Sequence, residues 1–204
     1  MQSRYQWLAA NYDRRWQGYV AASTRETLRR AGVRASDRLL DIGCGTGALL
    51  AAVRGAVPAA AVTGIDLVPA MLAVARRKAA AGPGLAAADA VRLPFRPCSF
   101  DVVVSSSSFH YWHDPRLGLS EIARVLRPGG RVVLTDWCAD FLACRICDAV
   151  LRLIHPVHRR VYRRAECARL LAEAGFIEGA VERYKIDWLW GLMTATACTA
   201  CRTA

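Results

Sequence analysis

Three acidic residues and one glycine-rich loop carry the chemistry this chain could do. Asp41, Asp66 and Asp89 each stand at the end of a short apolar run, and Gly43-Cys44-Gly45-Thr46-Gly47 follows the first of them. Three glycines in five residues weaken strand and helix alike. A turn built this way brings backbone against a ligand with no Cβ between them. A helix starting after such a loop adds unpaired N–H groups and a partial positive charge. Asp66, 19 residues beyond Gly47, stands where an acid can accept both hydroxyls of a ribose. Asp89, together with the N–H of Ala90, can read the amino edge of an adenine. A single acid at such a point is commonly a cap or turn former. Three in order fit a nucleoside lying across the carboxyl ends of successive strands.

The loop alone leaves two ligands open. "GCGTGA" also satisfies the relaxed dinucleotide pattern through Gly43, Gly45 and Ala48. A pyrophosphate, however, needs a helix end free of acid, and Asp41 lies two residues before the glycines. An acid there suits an ammonium group. A ligand combining ribose, adenine, amine and carboxylate is S-adenosylmethionine. Downstream, His110 and His113 in "SSFHYWHDP" are candidate general bases, because imidazole titrates near neutrality. His113-Asp114-Pro115 reads also as the start of a helix, and Tyr111 and Trp112 as cavity lining or as packing beneath it.

The elements that must position these residues alternate. Strands are expected at 38–42, 60–66, 85–90, 99–108 and 131–137, with helices at 15–31, 46–55, 69–81 and 115–126 between them. The strands are continuous apolar runs, as in strands covered on both faces. Short βαβ units of this kind imply an α/β doubly wound, Rossmann-like sheet with helices on both faces. After Trp137 the pattern changes to a helix over 138–154, apolar nearly all round, and another over 163–175. Two β-prone runs, 176–187 and 188–197, then form a hairpin that adds antiparallel pairing.

In combination, four stretches resemble the class I S-adenosylmethionine-dependent methyltransferases of the compact small-molecule type: "LLDIGCGTG", "TGIDLVPAMLAVARRKA", "AADAVRLPFRPCSFDVVVSSSSFHYWHDP" and "EIARVLRPGGRVVLTDW". The resemblance covers roughly residues 38–137. It implies a seven-stranded, mostly parallel sheet with an antiparallel C-terminal hairpin, and transfer of a methyl group to a small molecule by in-line displacement. By the same resemblance, Gly43, Cys44, Gly45 and Gly47 wrap the methionine part and sugar of S-adenosylmethionine. Asp66 holds the ribose, Leu67 and Met71 pack near adenine, Asp89 and Ala90 bind its edge, and Ser105 and Ser106 pass the methyl-bearing end. "NYDRRWQGY" resembles a lid, in which Tyr12 and Arg15 close over the cofactor; it reads also as an aromatic cluster packing on the surface. One methyltransferase domain is expected over 1–204: lid and helix 1–37, cofactor core 38–137, substrate-facing helical insertion 138–164, and helix and hairpin 165–204.

Composition limits the alternatives. With 204 residues and 54% apolar side chains, the chain can bury a sizeable core. No apolar run reaches the length of a transmembrane helix, and "MQSRYQWLAANYDRRW" carries charge where a signal peptide is apolar, so a cytoplasmic protein is expected. The net charge of +11 comes from 26 Arg against 2 Lys, which reads as compositional bias more than as a nucleic-acid footprint. No stable nucleic-acid partner is expected. The charge concentrates in 139–164, with six Arg against two Asp; an apolar or anionic substrate, or peripheral membrane contact, would suit that segment. Eight cysteines are spread through apolar segments, and Cys144/Cys147 and Cys198/Cys201 lie too far apart in the chain for a zinc ribbon, so no metal is expected. Two competing functions remain: a nicotinamide-dependent oxidoreductase, permitted by the glycines, and a non-catalytic nucleic-acid-binding module of the same fold.

Overall fold

The computed structural model describes residues 14–78, 84–155 and 157–201. The apolar runs become strands β1 (Arg38–Ile42), β2 (Ala61–Asp66), β3 (Gly84–Ala87), β4 (Phe100–Ser106), β5 (Leu126–Trp137), β6 (Ile177–Lys185) and β7 (Gly191–Cys198). They form one sheet in the order β3-β2-β1-β4-β5-β7-β6. The first five pair in parallel, and β7 runs antiparallel to both β5 and β6. The helices are α1 (Gln17–Ala31), α2 (Ala48–Ala56), α3 (Pro69–Lys78), α4 (Pro115–Val125), α5 (Leu142–Ile154) and α6 (Arg164–Glu173). The expected doubly wound sheet with an antiparallel C-terminal hairpin is therefore what the chain forms.

Side-chain alternation divides the core between the two faces of the sheet. Leu39, Val102, Val104 and Val133 pack with Leu49, Leu50 and Val53 of α2 and Leu72 of α3. Leu40, Val103, Val132 and Leu134 pack on the other face with Leu119 and Ile122 of α4 and Leu170 and Leu171 of α6. Burial on both sides explains why β1, β4 and β5 read as unbroken apolar runs. At its C-terminus, α1 is tied to β5 by Arg131, whose guanidinium donates to the carbonyls of Ala31 and Gly32 and to the carboxylate of Asp37.

Several boundaries move for local reasons. The third strand stops at Ala87 rather than 90, because the Asp89 carboxylate accepts the N–H of Val91 and turns the chain out of the ladder. The fourth ends at Ser106 rather than 108, since Ser107 takes φ +59°. The fifth begins at Leu126 rather than 131, pairing with Phe100 across a register shift. Gly47, at φ +81°, is the N-cap of α2 and delays that helix to Ala48. A short 3₁₀ turn, Phe109–Tyr111, follows β4, and Asp114 then caps α4 by accepting the N–H groups of Arg116 and Leu117.

Candidate cofactor and acceptor site

The loop after β1 is held against the end of β2. The N–H groups of Gly43 and Cys44 both donate to the carbonyl of Ile65, that of Gly45 to the Asp66 carboxylate at 2.8 Å, and that of Gly47 to the carbonyl of Cys44. With four N–H groups committed inside the protein, little is left to cradle a pyrophosphate. The Cys44 thiol faces the core, where burial raises its pKa far above the ordinary thiol range, so any part Cys44 plays toward a ligand comes from its backbone.

The glycines are required for different reasons. Gly43 has φ +72°, and a Cβ there would lie 2.4 Å from the Cβ of Ser108; Gly45 has φ +54°, and its Cβ would meet nothing within 4 Å. Ser108 is itself a hub: its hydroxyl donates to the carbonyl of Ile42, lies 2.7 Å from the Ser105 hydroxyl and accepts from the indole N–H of Trp112. Gly43→Ala is therefore expected to destabilise the fold by about 2–4 kcal/mol, from left-handed strain and this overlap. Gly45→Ala should cost only about 1–2 kcal/mol of strain yet weaken ligand binding about tenfold or more, because its methyl group would occupy the open space. Urea unfolding and ligand titration of the two variants check this contrast; equal losses on both measures would contradict it.

Asp41 is the most unusual group of the site. It is 1% exposed, and neither carboxylate oxygen has a hydrogen-bond partner. Burial, with a smaller contribution from the Asp66 charge, pushes its pKa up to about 8. A buried carboxyl with two unpaired oxygens costs free energy that the fold alone does not recover. Asp66, also raised by burial, is oriented by the N–H groups of Gly45 and Val68, one on each oxygen. Leu67 beside it is 67% exposed, an open apolar face at the end of β2, and Met71 is half-buried on α3. Asp89 is oriented by Val91, with Ala90 buried next to it.

The two histidines separate. His113 is half-exposed, with Nδ1 3.8 Å from Oδ2 of Asp89, so it stands with the third acid rather than with His110. His110, in the 3₁₀ turn, is 4% exposed, and its Nδ1 lies 2.7 Å from Oδ1 of Asp136 at the end of β5. The backbone N–H of His110 donates to the other oxygen of Asp136, and that of Trp137 to the first. Held from both sides, the carboxylate fixes the Nδ1–H tautomer and leaves Nε2 as the basic nitrogen. The His110 ring stacks on Trp137 at 5.3 Å, and Trp137 in turn packs on Trp190 at 4.6 Å. Tyr19 of α1 lies 6.3 Å from Trp137 and 6.1 Å from Trp190, with its hydroxyl 2.6 Å from that of Ser107. His158, 5.4 Å from His110, pairs with the buried Asp148 through Nε2. Burial lowers the pKa of His158 despite that partner, so its imidazole stays neutral near pH 7.

Asp136, Trp137, Trp190 and Tyr19 were not among the expected site residues. Only Asp136 carried a signal, as a fourth acid near a strand end. Of the expected residues, Ser105 is buried with its hydroxyl bound to Ser108, and Ser106 is half-buried at the end of β4. Arg15 is exposed, with its guanidinium over the Trp16 ring at 5.9 Å. Tyr12 lies outside the described residues. All eight cysteines are free, and burial raises the thiols of Cys138 (to about 11), Cys144 and Cys167, so these are core groups and poor thiolates. Among the described residues no group of three or more His, Cys, Asp or Glu side chains could hold a metal ion. Nor, among them, is any helix long and apolar enough to cross a membrane.

Comparison with known proteins gives a consistent result. Residues 40–134 match a methyltransferase domain family. A demethylmenaquinone methyltransferase of Thermus thermophilus is 39% identical over 134 residues, which is 64% of this chain and 57% of that protein. The Staphylococcus aureus demethylmenaquinone methyltransferase is 30% identical over 183 residues, covering 78% of this chain and 76% of that protein. The chain thus spans little more than half the length of the Thermus relative. Among solved structures, an S-adenosylmethionine-dependent methyltransferase from Mesorhizobium loti superposes with a TM-score of 0.73 at 21% identity, over 86% of this chain and 97% of that one.

Proposed function

Because the chain belongs to the class I S-adenosylmethionine-dependent methyltransferases, we propose that it methylates a small apolar aromatic acceptor carrying an acidic hydroxyl. The observation that carries the cofactor part is Asp41: a buried carboxyl with no partner, next to a loop with four of its five N–H groups committed inside the protein, calls for a cation. Asp41 would take the amine of S-adenosylmethionine, and the open side of Gly45 would admit its body. Asp66 would hold the ribose hydroxyls. Leu67 and Met71 would pack on the adenine, and Asp89 with the Ala90 N–H would bind its edge. Gly43 and Gly47 shape the turn, Ser105 and Ser106 would border the methyl-bearing end, and by the resemblance Tyr12 and Arg15 would close over the ligand.

When bound, S-adenosylmethionine supplies a methyl group already activated by its sulfonium. What this chain's residues add is approach and exclusion of water, for which positioning alone is worth ~7–11 kcal/mol. Trp137, Trp190 and Tyr19 form a wall suited to a flat ring. Through Nε2, His110 takes the acceptor's hydroxyl proton, and Asp136 stabilises the imidazolium that results. Losing that proton makes the oxygen, or the ring carbon beside it, nucleophilic. The relatives' name, demethylmenaquinone methyltransferase, supports a demethylated quinone in its reduced, hydroxyl-bearing form as the acceptor class. Within this reading the 138–164 segment faces the acceptor and His113 helps orient Asp89.

Calorimetric titration with S-adenosylmethionine, S-adenosylhomocysteine and NADH tests the cofactor assignment. Binding of both adenosyl ligands with no heat from NADH is expected. Tight NADH binding without the others would sink the reading in favour of an oxidoreductase.

A further inference from the structure

The outward face of α5 is apolar where a surface helix is ordinarily polar. Leu142, Ile146, Val150 and Leu153 recur at intervals of four, four and three residues, with Ile154 beside them, and all five are exposed. The inward face carries the polar anchor instead. Asp148 is buried and its carboxylate accepts from His158 Nε2 and from the backbone N–H of Val161, both at 2.8 Å, while the Cys144 thiol donates to the carbonyl of Gly191. The helix is therefore docked by its polar side, and its apolar side is presented outward by construction.

We infer that this face seats the protein on the surface of an anionic lipid membrane. Charge selects that occupant. Arg145 and Arg152 lie on one flank of the apolar stripe, and Arg159, Arg160, Arg163 and Arg164 follow, all exposed. Asp148 is buried and also pairs with Arg152 at 3.1 Å, Asp140 accepts from the backbone N–H of Arg164, and Arg160 pairs with Glu166. That leaves Arg145, Arg159, Arg163 and Arg164 as the arginines of the segment with which, among the described residues, no acid side chain forms an ion pair. An apolar stripe flanked by arginine is the composition of an interfacial helix, and each arginine adds attraction to anionic headgroups. A second copy of this chain is a poorer partner, because a two-fold contact through this face would set the same arginines against each other. Trp188 in the hairpin turn is a further exposed aromatic side chain, at 84%; exposed tryptophan favours the headgroup level. The C-terminal end of α5 lies near the proposed acceptor wall: Tyr111 beside His110 is 6.3 Å from His155 and 6.1 Å from His158.

Flotation of the full chain with phosphatidylcholine vesicles, with and without phosphatidylglycerol, tests this. The wild type is expected to float with the anionic vesicles, to float about tenfold less with the neutral ones, and to be released by high salt. An Ile146→Asp/Leu153→Asp variant, altered at side chains 57% and 86% exposed, should lose about tenfold or more of the binding while keeping its circular dichroism and its affinity for S-adenosylmethionine. Failure of the wild type to bind anionic vesicles, unchanged binding by the variant, or a wild-type dimer that the variant dissociates would each overturn the inference. Because vesicle binding needs neither cofactor nor acceptor, its failure with S-adenosylmethionine affinity intact would leave the methyltransferase reading standing.

Discussion

Asp41→Asn is expected to weaken S-adenosylmethionine binding about 10–100-fold and, at pH 7, to raise the unfolding midpoint of the unliganded protein by about 5–10 °C. Both effects come from one buried carboxyl whose oxygens have no partner. Its pKa rises from 3.8 in the unfolded chain to about 8 in the fold. A raised folded-state value means full stability below pH 4, where both states hold the proton, and progressive loss as pH climbs toward 8, where the unfolded chain has ionised and the fold resists. At pH 7 that amounts to roughly 4 kcal/mol of destabilisation. Asparagine keeps the shape and cannot ionise, so this slope with pH disappears. Its own amide remains unpaired, which limits the gain to about 2–4 kcal/mol. A bound ammonium reverses the balance for the wild type: it favours the carboxylate, so ligand binding at pH 7 should release close to one proton. Calorimetry in buffers of different ionisation enthalpy reads that proton directly. If the variant keeps both wild-type affinity and wild-type proton release, a buried water and not the ligand's amine is the partner of Asp41.

Local signals made half of this site legible. The loop, Asp66 and Asp89 lie at the ends of consecutive strands, so spacing along the chain alone places them together. The strands were legible for the same reason, since burial on both faces leaves an unbroken apolar run. What escaped was assembled across distance. His110 was a reasonable candidate, but its partner Asp136 lies 26 residues on, at the end of the neighbouring strand, and nothing in spacing pairs the two. Tyr19 reaches Ser107 across 88 residues, and the Trp137–Trp190 contact needs β7 to lie beside β5. The 138–154 stretch read as apolar nearly all round because apolar residues on its two sides serve different ends. The inward side is shown by Asp148, held by His158 and the Val161 N–H, and by the Cys144 thiol on the Gly191 carbonyl, all of them contacts made across the fold. His113 was grouped with His110 by sequence proximity, and the turn between them sends the two side chains to different partners.

His110→Ala should lower kcat about 10²–10⁴-fold with S-adenosylmethionine affinity unchanged, because removing the base touches the acceptor proton and not the cofactor. The loss should shrink as pH rises and the acceptor hydroxyl ionises on its own. Asp136→Asn sharpens the point. An asparagine amide facing Nδ1 can donate to it, which forces the proton onto Nε2 and leaves no lone pair toward the acceptor. The expected fall is again about 10²-fold or more, though the imidazole is still present. A purely structural role for the dyad predicts something else. Since His110 is buried and Asp136 also accepts the N–H groups of His110 and Trp137, a structural loss would appear in the unfolding midpoint and would fall equally on every acceptor. The deciding substrate is therefore one already ionised at assay pH, such as a thiolate. Both variants should methylate it at nearly the wild-type rate. An equal loss on ionised and un-ionised acceptors would remove His110 from proton transfer and leave it as a support for the aromatic wall.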